Sequence, residues 1–271
     1  MDRPHALAAL RRNPRSESGG LTEIRGPYYS TFGPAYLDDL LSVCAPFVDW
    51  VKLPGPAVLL LDDGSVKRYL DVIHSHGVKA SAGGAVEWAL TRGADAVELY
   101  FDTIAGFGYD VVEVSAGMLA IPDRDYLRLV ERAKRTGLHV KAEVGIQFGA
   151  GGTSSAEELA RVGTGSVGAA IARGRRALDA GADTIILESE GVTESVDQWR
   201  TDVPVAFADA LGLERLMFEA ADPAVFRWYV MNMGPEVNLF IDHSQVLHLE
   251  SLRSGVWGPS DLWGRIVTYK G

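Results

Sequence analysis

The chain has 271 residues, of which 47% are hydrophobic and 23% charged, and its formal net charge is −10. That length and apolar content support one large buried core and exclude a disorder-dominated protein. The acidic balance argues against a nucleic-acid or anionic-membrane surface, because both need clustered Lys and Arg to neutralise phosphates. A single cysteine, Cys44, excludes an internal disulfide and any Cys-based zinc site. It lies in the helical stretch YLDDLLSVC and reads as a buried helix residue. The first residues, MDRPHALAALRRNPRSES, contain too short an apolar run for a secretory signal, and no later run approaches the roughly 20 apolar residues of a membrane span. A soluble cytoplasmic protein with a small-molecule substrate is therefore expected, with neither nucleic acid nor membrane as a partner.

After an N-terminal extension (1–18), apolar β-like runs alternate with helical segments. Strands are predicted at Leu21–Arg25, Val48–Leu53, Val78–Ala82, Val111–Ser115, His139–Val144, Thr184–Glu188, Arg215–Glu219 and Asn238–Asp242. The intervening segments, such as DRDYLRLVERAKRTG and VGAAIARGRRALDAGAD, repeat apolar residues every three or four positions and stop at Gly. Such alternation implies a parallel sheet, and eight units fit one closed (β/α)8 TIM barrel over 19–271. An open doubly wound sheet would want a Gly-rich phosphate turn after strand one, where this chain has GPYYSTFG. The stretch FGAGGTSSAEELARVGTG (148–165) after strand five reads as a long loop on the catalytic face.

Four of these strands end on or next to a glutamate: Glu113, Glu143, Glu188 and Glu219. Side chains alternate along a strand, so Lys141 and Glu143 share a face, as do Glu113 and Ser115. Their neighbours Val112, Val114, Val140, Ala142 and Val144 are apolar and suit the layer between sheet and helices. The polar set therefore faces inward. By the same parity Lys52, Glu188, Glu219 and Asp242 join it, giving a mouth where this architecture places chemistry. Two unit charges about 4 Å apart cost on the order of 4 kcal/mol at an effective dielectric near 20, so several bare carboxylates cannot crowd one pocket. Pairing with Lys52 and Lys141, a divalent cation, or raised pKa values can each relieve them. Lys141 could lower the pKa of Glu143, leaving Glu113 or Glu188 as the acid. A salt-bridge network that only fixes the barrel is the competing reading, and Arg25 and Glu190, flanking strand ends, fit either.

The histidines divide by position. His74 and His76 precede strand three at the opposite face of the barrel and read as structural, as does His248. Asp242 and His243 end strand eight and could form an acid/base pair. Ser154 and Ser155 lack a G-x-S-x-G context. The WGPSDLWG tail, with Trp257 and Trp263, is expected to pack the last helix or form a subunit contact in a homo-oligomer.

GGLT, VDWVKL, HGVKASAGG, GYDVVEVSAG, AKRTGLHVKAEVG, GADTIILE, LMFEA and GPEVNL, followed by LESLRSGVWG, together resemble the phosphosulfolactate synthase family over nearly the whole chain. That resemblance implies a cytoplasmic (β/α)8 enzyme joining sulfite to phosphoenolpyruvate with magnesium. Glu143, Glu188 and Glu219 are the expected magnesium ligands, and no organic cofactor is expected. Several positions depart from the family pattern. Gly26 and Pro27 stand where the family has an acid and a lysine, Ile146 and Gln147 replace a pair of lysines, Glu190 replaces an arginine, and Ala116 replaces an acid. With these cations gone and Tyr28, Tyr29, Pro54, Pro56, Phe148 and Trp199 present, a changed, less anionic substrate is expected. The resulting expectation is a lyase or C–X bond-forming synthase with Lys52, Glu113, Lys141, Glu143, Glu188 and Glu219 as catalytic groups. Arg25, Ser115, Gln147, Glu190, Asp242 and His243 would contact substrate. The alternatives are a genuine phosphosulfolactate synthase and a non-catalytic barrel akin to the family's heat-stress-associated plant relatives.

Overall fold

Parallel strands buried on both faces suit a sheet covered by helices, and in the computed structural model, which describes residues 20–151, 154–220 and 222–255, that sheet is closed. Eight parallel strands pair in chain order and close: β1 (Thr22–Arg25), β2 (Trp50–Leu53), β3 (Lys79–Ala82), β4 (Val111–Val114), β5 (His139–Val144), β6 (Thr184–Leu187), β7 (Leu216–Glu219) and β8 (Leu239–Asp242). The strands begin up to two residues later than predicted, because Val48 and Asp49 finish a turn and Arg215 belongs to a 3-10 turn. The helices are α1 (Pro34–Cys44), α2 (Gly55–Leu60), α3 (Asp63–Ser75), α4 (Val86–Leu90), α5 (Ala94–Phe107), α6 (Asp123–Lys134), α7 (Ala156–Val162), α8 (Val167–Asp179), α9 (Asp202–Leu211), α10 (Pro223–Met233) and α11 (Val246–Arg253). The single α/β barrel expected from the sequence is thus the fold. Among the described residues no helix is long and apolar enough to cross a membrane.

One expectation needs correction. The stretch 148–165 is not a loop throughout, since α7 forms within it. Ser155 accepts from the Glu158 N–H while Glu158 accepts from the Ser155 N–H, a capping box that satisfies two free donors and starts the helix. Cys44 is buried at the end of α1, as its setting suggested. His74 and His76 bond Asp110 (2.9 Å) and Asp38 (2.7 Å) at the far end from the mouth, and His248 meets Phe226 edge-on, so all three are structural. Trp257 and Trp263 lie outside the described residues.

The barrel interior is layered. Trp50, Val111, Ile186, Met217 and Phe240 form an apolar floor. Above it, Lys141 is fully buried and bridges two carboxylates: it pairs with Glu23 from across the barrel and with Glu113, 3.0 Å away on the adjacent strand. The other oxygen of Glu113 meets Lys52 Nζ at 2.8 Å. The Phe240 ring faces this network, with Lys52 Nζ 4.4 Å and Lys141 Nζ 5.7 Å from its centroid. Outside the sheet, Ile24, Val51, Val112, Val140, Ala142, Ile185 and Phe218 pack against the helices. Removing one member of such a buried network strands its partners. Lys141→Met is therefore expected to cost about 3–5 kcal/mol, read as a lower urea midpoint, whereas an unchanged midpoint shows that the network carries no stability.

Candidate active site

Above the buried ion network the strand ends open into a cavity of about 150 Å³ lined by Arg25, Lys52, Glu113, Glu143, Glu188 and Glu219, with Tyr28, Tyr29, Pro54 and Pro56 at its rim. Gly83 leaves room for Lys52 as it runs to Glu113: a Cβ there would lie 2.4 Å from Lys52 Cε and displace the side chain. Gly117 is equally constrained, since a Cβ would sit 2.1 Å from the Ala150 carbonyl, so the loops after β4 and β5 touch backbone to backbone over the cavity. Glu87 holds the first of these loops. Its buried carboxylate accepts from the N–H groups of Gly117 (3.2 Å), Met118 (2.9 Å) and Leu119 (2.7 Å).

Charge decides what each glutamate does. Burial alone would raise Glu113, but Lys52 and Lys141 outweigh it and hold the carboxyl down to about 2. Burial likewise opposes the charge on Lys52, yet Glu113, Glu219 and Glu23 keep it protonated. Glu143 lacks such a partner. Burial and the neighbouring Glu113 push it up to about 8. Glu188 is raised well above the usual carboxylate range by burial, Glu219 and Glu143, although it accepts the Glu190 N–H at 2.9 Å. Glu219 is raised by burial too, against the pull of Lys52 and of Arg25, whose Nη2 is 3.1 Å away. Lys141 pairs with Glu23 and Glu113, so the pairing with Glu143 that the sequence left open is not formed.

The remaining candidates are dispersed. Ser115 lines the cavity with its hydroxyl buried. The Gln147 amide donates to the carbonyls of Phe148, Leu159 and Gly163 and ties the loop after β5 to itself. Glu190 accepts the Gly151 N–H at 2.8 Å and anchors the same loop. Asp242 accepts from Ser244, and His243 packs against Phe32 and Tyr36 with Nδ1 3.6 Å from Asp242, too far for a hydrogen bond; neither lines the cavity. Trp199 lines a separate surface pocket beside Glu194 and Asp222. Three acids escaped the sequence reading, among them Glu194, which lines the cavity from the loop after β6. Glu23 shares the parity of Arg25 and could have been found by it, whereas Glu87 meets the backbone of a distant loop and leaves no periodic trace.

Among the described residues no three His, Cys, Asp or Glu side chains converge as a preformed metal cage. Magnesium needs less than that, often one or two carboxylates with retained water, and the recessed pair Glu143 and Glu188 fits such a donor set.

Residues 10–259 match the (2R)-phospho-3-sulfolactate synthase (ComA) family. The chain belongs to this family. It is 32% identical over 244 residues to the protein HEAT-STRESS-ASSOCIATED 32 of Arabidopsis thaliana, covering 86% of this chain and 85% of that one. It is 26% identical to the phosphosulfolactate synthase of Methanothermobacter thermautotrophicus, covering 84% and 87%. Among solved structures, 3-hexulose-6-phosphate synthase from Salmonella typhimurium superposes with a TM-score of 0.53 at 12% identity, covering 88% of this chain and 100% of that one, a likeness of fold alone. In this synthase-family barrel Gly26 donates its N–H to the Lys52 carbonyl at 2.8 Å, and a Cβ there would approach that oxygen to 2.6 Å. The backbone as it stands leaves no room for an acidic side chain at position 26.

The raised pKa of Glu143 has a stability consequence with a definite sign. Folded, the group keeps its proton up to about pH 8, while the unfolded carboxyl loses its own near 4.5. Its contribution is therefore fully present below the unfolded value and is lost as pH rises to the folded one. Thermal melts across this window should show Glu143→Gln, which cannot ionise, gaining several degrees on the parent by the alkaline end; parallel curves refute the raised value.

Proposed function

We propose that the chain is a divergent lyase or C–X bond-forming synthase acting on a small molecule less anionic than the family's substrates. The observation that carries this reading is a pair of carboxyls, Glu143 and Glu188, whose hold on a proton is strengthened by burial and by neighbouring carboxylates, beside the Lys52–Glu113 ion pair at the base of an open cavity. Addition of a nucleophile to a carbon conjugated with a carbonyl or carboxylate moves charge onto that group's oxygens. The Lys52 ammonium, 13% exposed at the base of the cavity, is placed to steady them. Glu143 or Glu188 then delivers its proton to the neighbouring carbon, and elimination runs the same steps backwards with the carboxylate as base. Arg25 and Glu219 flank this centre and orient the substrate's polar end. A bound magnesium, held by Glu143 and Glu188 with Glu219 beside them, would require these carboxyls ionised, so it would displace their protons and polarise the substrate oxygen in place of the acid role.

The likeness to the heat-stress-associated plant protein favours a second reading, a barrel that binds without turning over. The two separate readily. Incubation with Mg2+, phosphoenolpyruvate and sulfite is expected to yield no phosphosulfolactate, while Mg2+ alone raises the melting temperature of the parent and not of the Glu143→Gln/Glu188→Gln double variant. Product formation would return the family's own reaction. No magnesium shift, with unchanged melting in both single variants, would leave the binding reading.

A further inference from the structure

A groove of about 760 Å³ adjoins the cavity at the mouth, and the two share Glu143 and Glu188 as well as Gly117, Met118 and Ala150 in their walls. The reacting end of the site is thus small and the adjoining space several times larger. Most of the groove wall is apolar, built from Met118, Ile121, Ile146, Phe148 and Ala169, and Met118 and Phe148 are 64% and 56% exposed. Large apolar side chains left open beside a polar centre mark a binding surface for an apolar body.

One cation enters this groove. Arg173, from α8, lays its guanidinium 4.2 Å over the Tyr126 ring, and the Tyr126 hydroxyl donates to the Glu143 carbonyl at 2.7 Å. The guanidinium therefore lies about one tyrosine ring from the backbone of Glu143. Its Nε and Nη2 are sealed from solvent and find no hydrogen-bond acceptor among the described residues. Asp123, 3.5 Å from Nε, forms an ion pair with Arg173 and shares its carboxylate with Arg176. Sealed donors cannot receive a ligand from the groove, so Nη1 is the guanidinium nitrogen left to meet one, by a single charge-assisted contact. A single guanidinium beside Asp123 suits a monoanion better than a dianionic phosphate.

We propose that the groove is a substrate subsite for an apolar carboxylic acid. The carboxylate lies on Arg173, the hydrocarbon body lies along Met118, Ile121 and Phe148, and the reacting carbon lies at Glu143 and Glu188. This assignment rests on the proposed reading of that glutamate pair as the reacting end.

The test is binding, by calorimetry and thermal shift at pH 7, of butanoate, hexanoate, octanoate, octanol and inorganic phosphate. Affinity should rise with chain length, roughly fourfold per methylene buried, from about 0.8 kcal/mol for each. Octanol and phosphate should bind at least tenfold more weakly than octanoate. Arg173→Gln should lose the octanoate shift and Arg173→Lys retain part of it. Ala169→Trp, at an exposed helical position that lines the groove, should abolish binding without lowering the ligand-free melting temperature, which guards against misfolding of the arginine variants. Equal octanoate binding by Arg173→Gln and the parent, no dependence on chain length, phosphate binding as tight as octanoate, or no binding of any acid would each overturn the proposal. Because the readout is binding and not turnover, a failure here leaves the proton-moving pair untouched, and a failure of that pair leaves the groove measurable.

Discussion

A lysine with no solvent exposure, shared between two carboxylates on different strands, is the constraint on which the rest of this barrel depends. Lys141 joins Glu23 on β1 to Glu113 on β4, and Glu113 passes the alternation of charge on to Lys52 on β2. Burying any of these alone would cost several kcal/mol. Buried together, over the apolar floor and against the face of Phe240, they make a layer whose charges cancel. That layer closes the barrel below the cavity and fixes Lys52 as a cation at its base.

Cancellation below leaves an excess above. Of the side chains on the strands or just past their ends that form this layer or line the cavity, five are acidic (Glu23, Glu113, Glu143, Glu188 and Glu219) and three are basic (Arg25, Lys52 and Lys141). The two acids left without a cation are Glu143 and Glu188, and they hold protons that ordinary carboxyls would have lost. The same count explains why both readings of the cluster, a scaffold of salt bridges and a set of tuned acids, contain part of the answer: the scaffold is Glu23, Lys141 and Glu113, and the tuned acids lie one layer nearer solvent. Beyond them, the contact of Gly117 with Ala150, secured by Glu87 and Glu190, divides the opening into a small polar chamber and a large apolar one. The small chamber is built at the strand ends, while the groove is walled by the loops after β4 and β5 and by α8, which carries Arg173.

The strand parity that placed Lys52, Glu113, Lys141, Glu143, Glu188 and Glu219 on the inner face was legible because a closed parallel sheet packs helices on one side and itself on the other. A period of two then sorts every strand residue. The same rule reached Asp242 but said nothing of its neighbour His243, which leaves the strand and turns into the aromatic contacts of Phe32 and Tyr36. Gln147 looked like a substrate contact from its place after β5, yet its amide is spent on loop carbonyls that only the folded loop brings near.

Sequence alone determined the eight βα units, the inward set of charges and the mouth at which they gather, since each follows from local periodicity. The tertiary structure decided which acid meets which cation, and hence which carboxyls keep their protons. Glu23 and Lys141 are 118 residues apart and meet only across the closed barrel. Coulomb energy depends on that spatial distance and on the dielectric around it, and neither is written in the spacing of residues along a chain.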